Sequence, residues 1–179
     1  MITLRASHLA AIAALLAASA ATFTARNATA AGDQAGTRTV QVAGSGMDLL
    51  NTAIVHSKEF TETGMIQKST ETVELNGDMR GRVLYHVTSV FDFVGGTLVN
   101  TGDQVYSGTI SGSAPVMIHD GEFRFEVNLV TGKESGQVYL FDHITGPKVR
   151  CALDVVGTGV TGEGNPTFDY RGECTFRGQ

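Results

Sequence analysis

The 179-residue chain contains no tryptophan, only three prolines and only two cysteines. Without an indole to stack against a sugar ring, a carbohydrate-binding module is a weak interpretation. The chain also lacks a Gly-x-Ser-x-Gly elbow, a P-loop and a His-Glu-x-x-His sequence. The usual signatures of serine hydrolases, nucleoside triphosphatases and zinc proteases are therefore missing.

Long apolar runs are also scarce. The longest, Leu9–Ala21, has 13 residues and follows Arg5, which is short of the roughly 20 residues that a membrane-spanning helix needs. Ala28-Thr29-Ala30 then offers a small-x-small cleavage site, so residues 1–30 are predicted to be a signal peptide. We expect one domain, residues 31–179, secreted or periplasmic and without a transmembrane segment. The alternative is that cleavage fails and the segment stays as a tether.

Basic residues are few. The chain has 13 Lys and Arg against 18 Asp and Glu, and removal of residues 1–30 takes away Arg5 and Arg26 but no acidic residue. The remaining 11 basic and 18 acidic residues give a net charge of −7. Because nucleic acids and anionic membranes are bound mainly through Lys and Arg, we expect neither as a partner.

Glycine and period-2 alternation are abundant. Glu122–Val130 places Phe123, Phe125, Val127 and Leu129 on one face and polar residues on the other, which is typical of a half-buried strand. Similar segments recur between Gly-rich turns, and no convincing amphipathic helix occurs. The chain is therefore predicted to be all-β, an antiparallel barrel of eight or nine strands, with a β-sandwich as the alternative.

Turn signals set the predicted strand limits. Thr37–Ala43 is expected to be the first strand, ended by Gly44-Ser45-Gly46, and Asn76-Gly77-Asp78 is a strong hairpin turn. Further turns are expected at Asn100–Asp103 and His119–Gly121.

The two cysteines lie in a predicted hairpin, Val149–Arg177. If its turn is centred on Gly162, one register pairs Val149 with Phe176, Cys151 with Cys174, Asp154 with Arg171 and Val155 with Tyr170. Directly opposed cysteines are close enough to bond, so a Cys151–Cys174 disulfide is predicted. Two free buried cysteines are the alternative, and in both cases the cysteines are structural rather than catalytic.

Signals for a cofactor or a metal are weak. Gly157–Gly162 has the glycine spacing of a nucleotide-binding loop but no helix follows it. The histidines after residue 30, namely His56, His86, His119 and His143, lie 24 to 33 residues apart. We therefore expect no cofactor and no metal site.

The Gly-punctuated strands and the closing stretch Gly164-Asn165-Pro166-Thr167-Phe168-Asp169-Tyr170-Arg171-Gly172 resemble those of the allene oxide cyclase-like barrels. That family includes the plant dirigent proteins, with lipocalin-like barrels as more distant relatives. The resemblance runs from about Val73 to Phe176 and rests on architecture and glycine placement, so no family active-site residue is transferred. It implies a central cavity for a hydrophobic or phenolic small molecule, in some members with a cyclisation steered by the cavity walls.

Asp142 and His143 are the candidate catalytic residues. Adjacent strand residues point to opposite faces, so one of the two should point inward. An inward Asp142 would be a carboxylate on an apolar wall, and an inward His143 could exchange a proton near neutral pH. The alternative is that the inward residue is hydrated at the barrel mouth.

The candidate ligand-binding residues are Tyr85, Tyr106, Tyr139 and Phe141, with core and rim packing as the alternative.

Two functions remain open from the sequence. One is a small-molecule barrel, either a carrier or a cofactor-free cyclase or isomerase. The other is a non-catalytic extracellular or periplasmic module for structure or interaction. Interior volume distinguishes them, because the six phenylalanines at 91, 93, 123, 125, 168 and 176 could fill a small barrel. The sequence leaves the ligand and the oligomeric state open.

Overall fold

Alternating apolar residues and glycine-rich turns produce ten β-strands in the part of the chain that the computed structural model describes, residues 36–178. The strands are β1 (Thr37–Asp48), β2 (Ile54–Phe60), β3 (Gly64–Gly77), β4 (Met79–Asp92), β5 (Thr97–Ile110), β6 (Val116–Asn128), β7 (Glu134–Leu140), β8 (Asp142–Thr145), β9 (Val149–Val160) and β10 (Pro166–Arg177). A three-residue 3-10 turn, Leu50–Thr52, joins β1 to β2. The predicted signal peptide lies outside the described residues. Within residues 36–178, no helix is long and apolar enough to cross a membrane.

Eight of the strands close into an antiparallel barrel in the order β1-β10-β9-β7-β6-β5-β4-β3, with β3 returning to β1. Closure occurs where Gly44–Asp48 of β1 pairs with Val73–Gly77 of β3. The strands β2 and β8 lie outside this circuit and pair with β3 and β6. The predicted antiparallel barrel is confirmed, and the sandwich alternative is wrong.

Glycines permit the closing seam between β1 and β3. A Cβ at Gly44 would clash with the carbonyl oxygen of Asn76, and one at Gly46 would clash with the ring of Phe168. The prediction that Gly44-Ser45-Gly46 ends the first strand is therefore wrong, because these glycines continue β1 to Asp48 where two other strands approach closely.

Two other predicted turns lie inside long strands. Asn100–Asp103 belongs to β5 and His119–Gly121 to β6, and the pairing of these strands shifts between Gly102 and Gln104. The turn-forming residues thus make a local irregularity in a continuous pair of strands rather than two hairpins. The turn at Asn76-Gly77-Asp78 is confirmed, with Gly77 at φ +106°.

The hairpin of β9 and β10 has the predicted register. Val149 pairs with Phe176, Cys151 with Cys174, Asp154 with Arg171 and Val155 with Tyr170. Cys151 and Cys174 form a disulfide and are fully buried, so the predicted pairing is confirmed.

The two ends of the barrel differ in packing. At the end where β4 begins and β5 finishes, the interior is filled by fully buried side chains, including Met79, Ile110, Ile118, Leu140 and the disulfide. We call this the closed end. The opposite end contains the β4–β5, β6–β7 and β9–β10 turns, and its interior is not filled. We call it the open end.

Candidate functional site

A cavity of about 790 Å³ occupies the open half of the barrel. Its walls are mainly apolar side chains on the inner faces of the strands, among them Val83, Val87, Phe91, Phe123, Phe125 and Val155. The volume lies within the range of about 300–1,000 Å³ that is usual for small-molecule sites. The space is therefore large enough for a ligand and lacks the side chains that fill the closed end.

The mouth of the cavity is formed at the open end. Leu50 of the 3-10 turn, Thr131–Lys133 of the β6–β7 turn and Gly157–Val160 of β9 line it. Turns at the same end expose Phe93, Val94 and Val130, the last with 84% of its surface accessible. A ligand entering here would pass apolar side chains before reaching the interior.

A belt of inward polar residues crosses four neighbouring strands. Glu71 of β3 pairs with Tyr85 of β4, Tyr85 with Gln104 of β5, and Gln104 with Asp120 of β6. Glu71, Gln104 and Asp120 are buried. Both carboxylate oxygens of Asp120 are paired, because Oδ2 accepts bonds from the Gln104 amide and the Tyr139 backbone N–H, and Oδ1 accepts one from the Glu122 backbone N–H. We call this set the polar belt.

The Tyr85 hydroxyl lies at the centre of a carboxyl pair. It is 2.7 Å from Oδ2 of Asp48 and 2.7 Å from Oε2 of Glu71, whose other oxygen accepts a bond from the Ser69 hydroxyl. A tyrosine hydroxyl has one proton and can donate it once. Both short contacts are hydrogen bonds only if one carboxyl is protonated and donates to the tyrosine oxygen.

The carboxyl of Asp48 has a raised pKa. Burial raises its pKa to about 7, and the charge of Glu71 raises it further against the opposing effect of the Tyr85 hydrogen bond. Burial and the two carboxyls also raise the pKa of Tyr85 far above its ordinary value, so the phenol stays neutral. The group of Asp48, Tyr85 and Glu71 therefore changes protonation near neutral pH.

Two hydrogen-bond acceptors in the cavity wall have no partner in the described structure. They are Oδ1 of Asp48 and Oδ1 of Asn100, both inaccessible to solvent. Asn100 lies opposite Ser89 on β4, and both residues line the cavity. Buried polar atoms in folded proteins are nearly always paired, so these two acceptors are exceptions within the cavity wall.

Burial also acts on a third carboxyl at the cavity. Glu134, at the start of β7, lines the cavity near the open end, and burial raises its pKa. The cavity therefore contains three carboxyl groups on three different strands.

The predicted ligand-binding residues separate in the structure. Tyr85 lines the cavity as expected. Tyr106 is fully buried at the closed end, where its hydroxyl donates to the carbonyl oxygen of Thr109 at 2.7 Å. Tyr139 and Phe141 are each 41% exposed and do not line the cavity. Of the four, only Tyr85 is placed to contact a ligand in the cavity.

Asp142 and His143 lie on β8, outside the closed barrel, and both are exposed. His143 Nε2 is 2.9 Å from the carbonyl oxygen of Gly146, and Asp142 is 3.7 Å from Nδ1 of His119. We expected one of them to point into the barrel. Neither does, because β7, the barrel strand of this region, ends at Leu140, and the residues after it form β8 outside the closed barrel. A catalytic role for either residue stays a prediction, and it concerns the outer surface rather than the cavity.

Sequence reasoning missed Asp48 and Glu71. Glu71 had a detectable signal, since Ser69, Glu71, Val73 and Leu75 alternate on one face of β3 and a carboxylate among apolar residues is costly without a partner. Asp48 had none, because the predicted first strand stopped before it.

Comparison of the chain with known protein families, curated proteins and solved structures gave no match. The resemblance to the allene oxide cyclase-like barrels stays a prediction. Function is therefore inferred from the geometry of the chain itself.

Proposed function

We propose that this protein binds a small hydrophobic or phenolic molecule inside its barrel. The observation that carries the proposal is the unfilled apolar cavity of about 790 Å³, open at one end. An eight-stranded barrel is just wide enough either to be filled by side chains or to hold one small ligand. Here the closed half is filled and the open half is not.

The distribution of phenylalanines supports a binding cavity. Phe91, Phe123, Phe125 and Phe168 line its walls without closing it. Phe93 is 59% exposed, and Phe176 packs near Arg38, whose guanidinium lies 4.7 Å from the ring centre. A purely structural barrel would gain stability by filling this volume with the same residues.

The polar groups of the cavity suit a ligand with one polar end. Asp48, Glu71 and Ser89 line the cavity, and their side-chain oxygens can accept a hydrogen bond from a phenolic hydroxyl. The apolar walls would hold the rest of the molecule.

A catalytic use of the same cavity, as a cofactor-free cyclase or isomerase, is favoured by one observation. The Asp48–Tyr85–Glu71 group combines a pKa of about 7 at Asp48 with short hydrogen bonds to Tyr85, which suits general acid–base catalysis. Such an enzyme would return the recovered ligand as an isomer of unchanged mass and changed chromatographic retention, and Asp48→Asn would abolish the change.

We infer an extracellular or periplasmic location. The buried Cys151–Cys174 disulfide supports it, since such bonds form and persist in oxidising compartments. The predicted signal peptide points to the same compartments.

Native mass spectrometry of the purified protein, before and after mild organic extraction, tests the proposal. We expect an apolar or phenolic mass that co-purifies with the protein and is removed by extraction, and that returns when the extract is added back. A bare protein mass with no uptake from a mixed lipid and phenolic extract would favour the structural or interaction module instead.

A further inference from the structure

The charged groups that line the cavity are almost all negative. Asp48, Glu71 and Glu134 contribute carboxyls, and among the described lining residues the one basic side chain is Lys133, an exposed residue of the β6–β7 turn. A buried negative charge without a nearby cation is costly. The carboxyl groups of the cavity therefore favour a positively charged ligand, which apolar walls alone would not do.

The carboxyl pair itself has no cationic partner. The protons of Tyr85 and Ser69 are directed at its oxygens, and the Gln104 amide donates to Asp120 instead. Within the described residues, neither Asp48 nor Glu71 forms an ion pair with a basic side chain. A cation that enters the cavity would therefore meet two carboxyl groups that no other cation occupies.

We propose that the cavity selects apolar molecules carrying a protonated amine, with the ammonium group bound at Asp48 and Glu71 beside Tyr85. This inference rests on the proposed function and names the chemical class of its ligand. An ammonium has three hydrogen-bond donors and a positive charge, so it can bond to both carboxyl groups and neutralise their negative charge. A neutral phenol supplies one donor and no charge, and a fatty-acid anion adds a like charge.

Binding of an ammonium is coupled to the proton held at Asp48. The titratable groups that face Asp48 are Glu71 on β3, Tyr85 on β4 and Glu134 on β7. All of them are acidic, so the ligand would be the cation that stabilises ionised Asp48. Affinity for an alkylamine therefore rises as pH increases from about 6 to about 8, where Asp48 loses its proton while the amine keeps its own.

Competition among three ligands of equal chain length tests this selectivity. Decylamine, 1-decanol and decanoate would each be titrated against the neutral fluorescent probe N-phenyl-1-naphthylamine bound to the protein at neutral pH. We expect decylamine to displace the probe at a concentration about 10-fold or more below that of 1-decanol, since hydrogen bonds to charged groups are the stronger class. Decanoate should be the weakest competitor.

Variants assign the preference to the carboxyl pair. Asp48→Asn and Glu71→Gln should each reduce the decylamine advantage to near that of 1-decanol. Asp154→Asn, on the outer face of β9 where its carboxylate accepts a bond from Gln137, is the matched control and should keep the advantage. If Asp48→Asn folds poorly by near-ultraviolet circular dichroism, Glu71→Gln and the pH series on the wild type decide the question.

The outcomes separate the two proposals. Probe binding with 1-decanol or decanoate competing as well as decylamine would overturn the amine preference and leave the binding cavity standing. A decylamine affinity that does not change with pH would likewise overturn the amine preference and leave the binding cavity standing. Failure of the probe and of all three competitors to bind would overturn both.

Discussion

The single hydroxyl proton of Tyr85 lies between two carboxyl groups, and this determines the chemistry of the carboxyl pair. Asp48 and Glu71 each lie 2.7 Å from the hydroxyl oxygen, so the arrangement is stable only with one further proton. Burial raises the pKa of Asp48 to about 7, so the pair keeps this proton at mildly acidic pH. The cavity thus contains a carboxylic acid that is neutral at mildly acidic pH and charged at alkaline pH.

The raised pKa of Asp48 makes stability depend on pH with a defined sign. Between about pH 4 and about pH 7 the unfolded chain has ionised Asp48 while the folded chain keeps it protonated, so rising pH favours unfolding. Asp48→Asn has no carboxyl to titrate, so it does not lose this stability as pH rises. The variant should therefore gain stability relative to the wild type as pH rises through this window, by up to about 4 kcal/mol at about 1.4 kcal/mol per pKa unit.

Urea unfolding of both proteins at several pH values measures this gain. Asp154→Asn removes an exposed carboxyl and should change stability by less than about 0.5 kcal/mol throughout. A difference between Asp48→Asn and the wild type that stays constant from pH 4 to pH 8 would contradict the raised pKa of Asp48.

Sequence reasoning at this scale depends on whether one residue's surroundings follow from its own strand. Tyr85 was predicted to line a pocket as an amphipathic aromatic residue, and it lines the cavity, while its contact with a ligand stays a prediction. Asp48 could not be found this way, since its neighbours Glu71 and Tyr85 come from two other strands. Asp142 and His143 were misplaced because alternation describes a strand and does not show where the barrel wall ends.

Among the elements, the seam between β1 and β3 is the most sensitive to side-chain size. A Cβ at Gly44 would meet the backbone of Asn76 and the hydroxyl of Tyr170, and backbone atoms cannot move aside cheaply. We expect Gly44→Ala to destabilise the barrel by about 1–3 kcal/mol or more, as overpacking does.

The matched control is Gly162→Ala in the β9–β10 turn, where an added Cβ meets no atom within 4 Å. Thermal or urea unfolding should show this variant within about 0.5 kcal/mol of the wild type. Equal effects of the two substitutions would mean that the seam is not closed by glycine packing.

The hairpin of β9 and β10 is held by its disulfide as well as by its backbone bonds. The bond closes a loop with a sequence separation of 23 residues, and cross-linking a loop of that size stabilises a protein by about 3 kcal/mol. Urea unfolding with a reductant, or of the double variant Cys151→Ala and Cys174→Ala, should show a loss of that order. An unchanged unfolding midpoint under verified reduction would contradict this role.

This hairpin was the element best predicted from sequence, because two alternating runs, one turn and two cysteines all specify the same register. The long strands β5 and β6 were predicted poorly. Glycine and Asn-Asp clusters usually mark turns, but here Gly102 lets the backbones of β4 and β5 approach, since a Cβ there would clash with the carbonyl oxygen of His86.

On the scale of the whole molecule, the barrel has one packed end and one unfilled end. The closed end contains the disulfide and the fully buried side chains around it. The open end retains about 790 Å³ of apolar space. The all-β barrel followed from alternation and turn spacing, but the cavity did not, because interior volume depends on how all eight strands are staggered.

The central claim is that this space binds a ligand, and filling it tests that most directly. Ser89 of β4 points into the cavity, whereas its neighbour Val90 points outward and is 42% exposed. Fluorescence titration with N-phenyl-1-naphthylamine would compare the wild type with Ser89→Trp and Val90→Trp, each checked for folding by circular dichroism. We predict saturable binding to the wild type and to Val90→Trp, and at least about 10-fold weaker binding to Ser89→Trp, since the indole would occupy the ligand's volume. Equal binding by all three folded proteins, or none by the wild type, would contradict the claim.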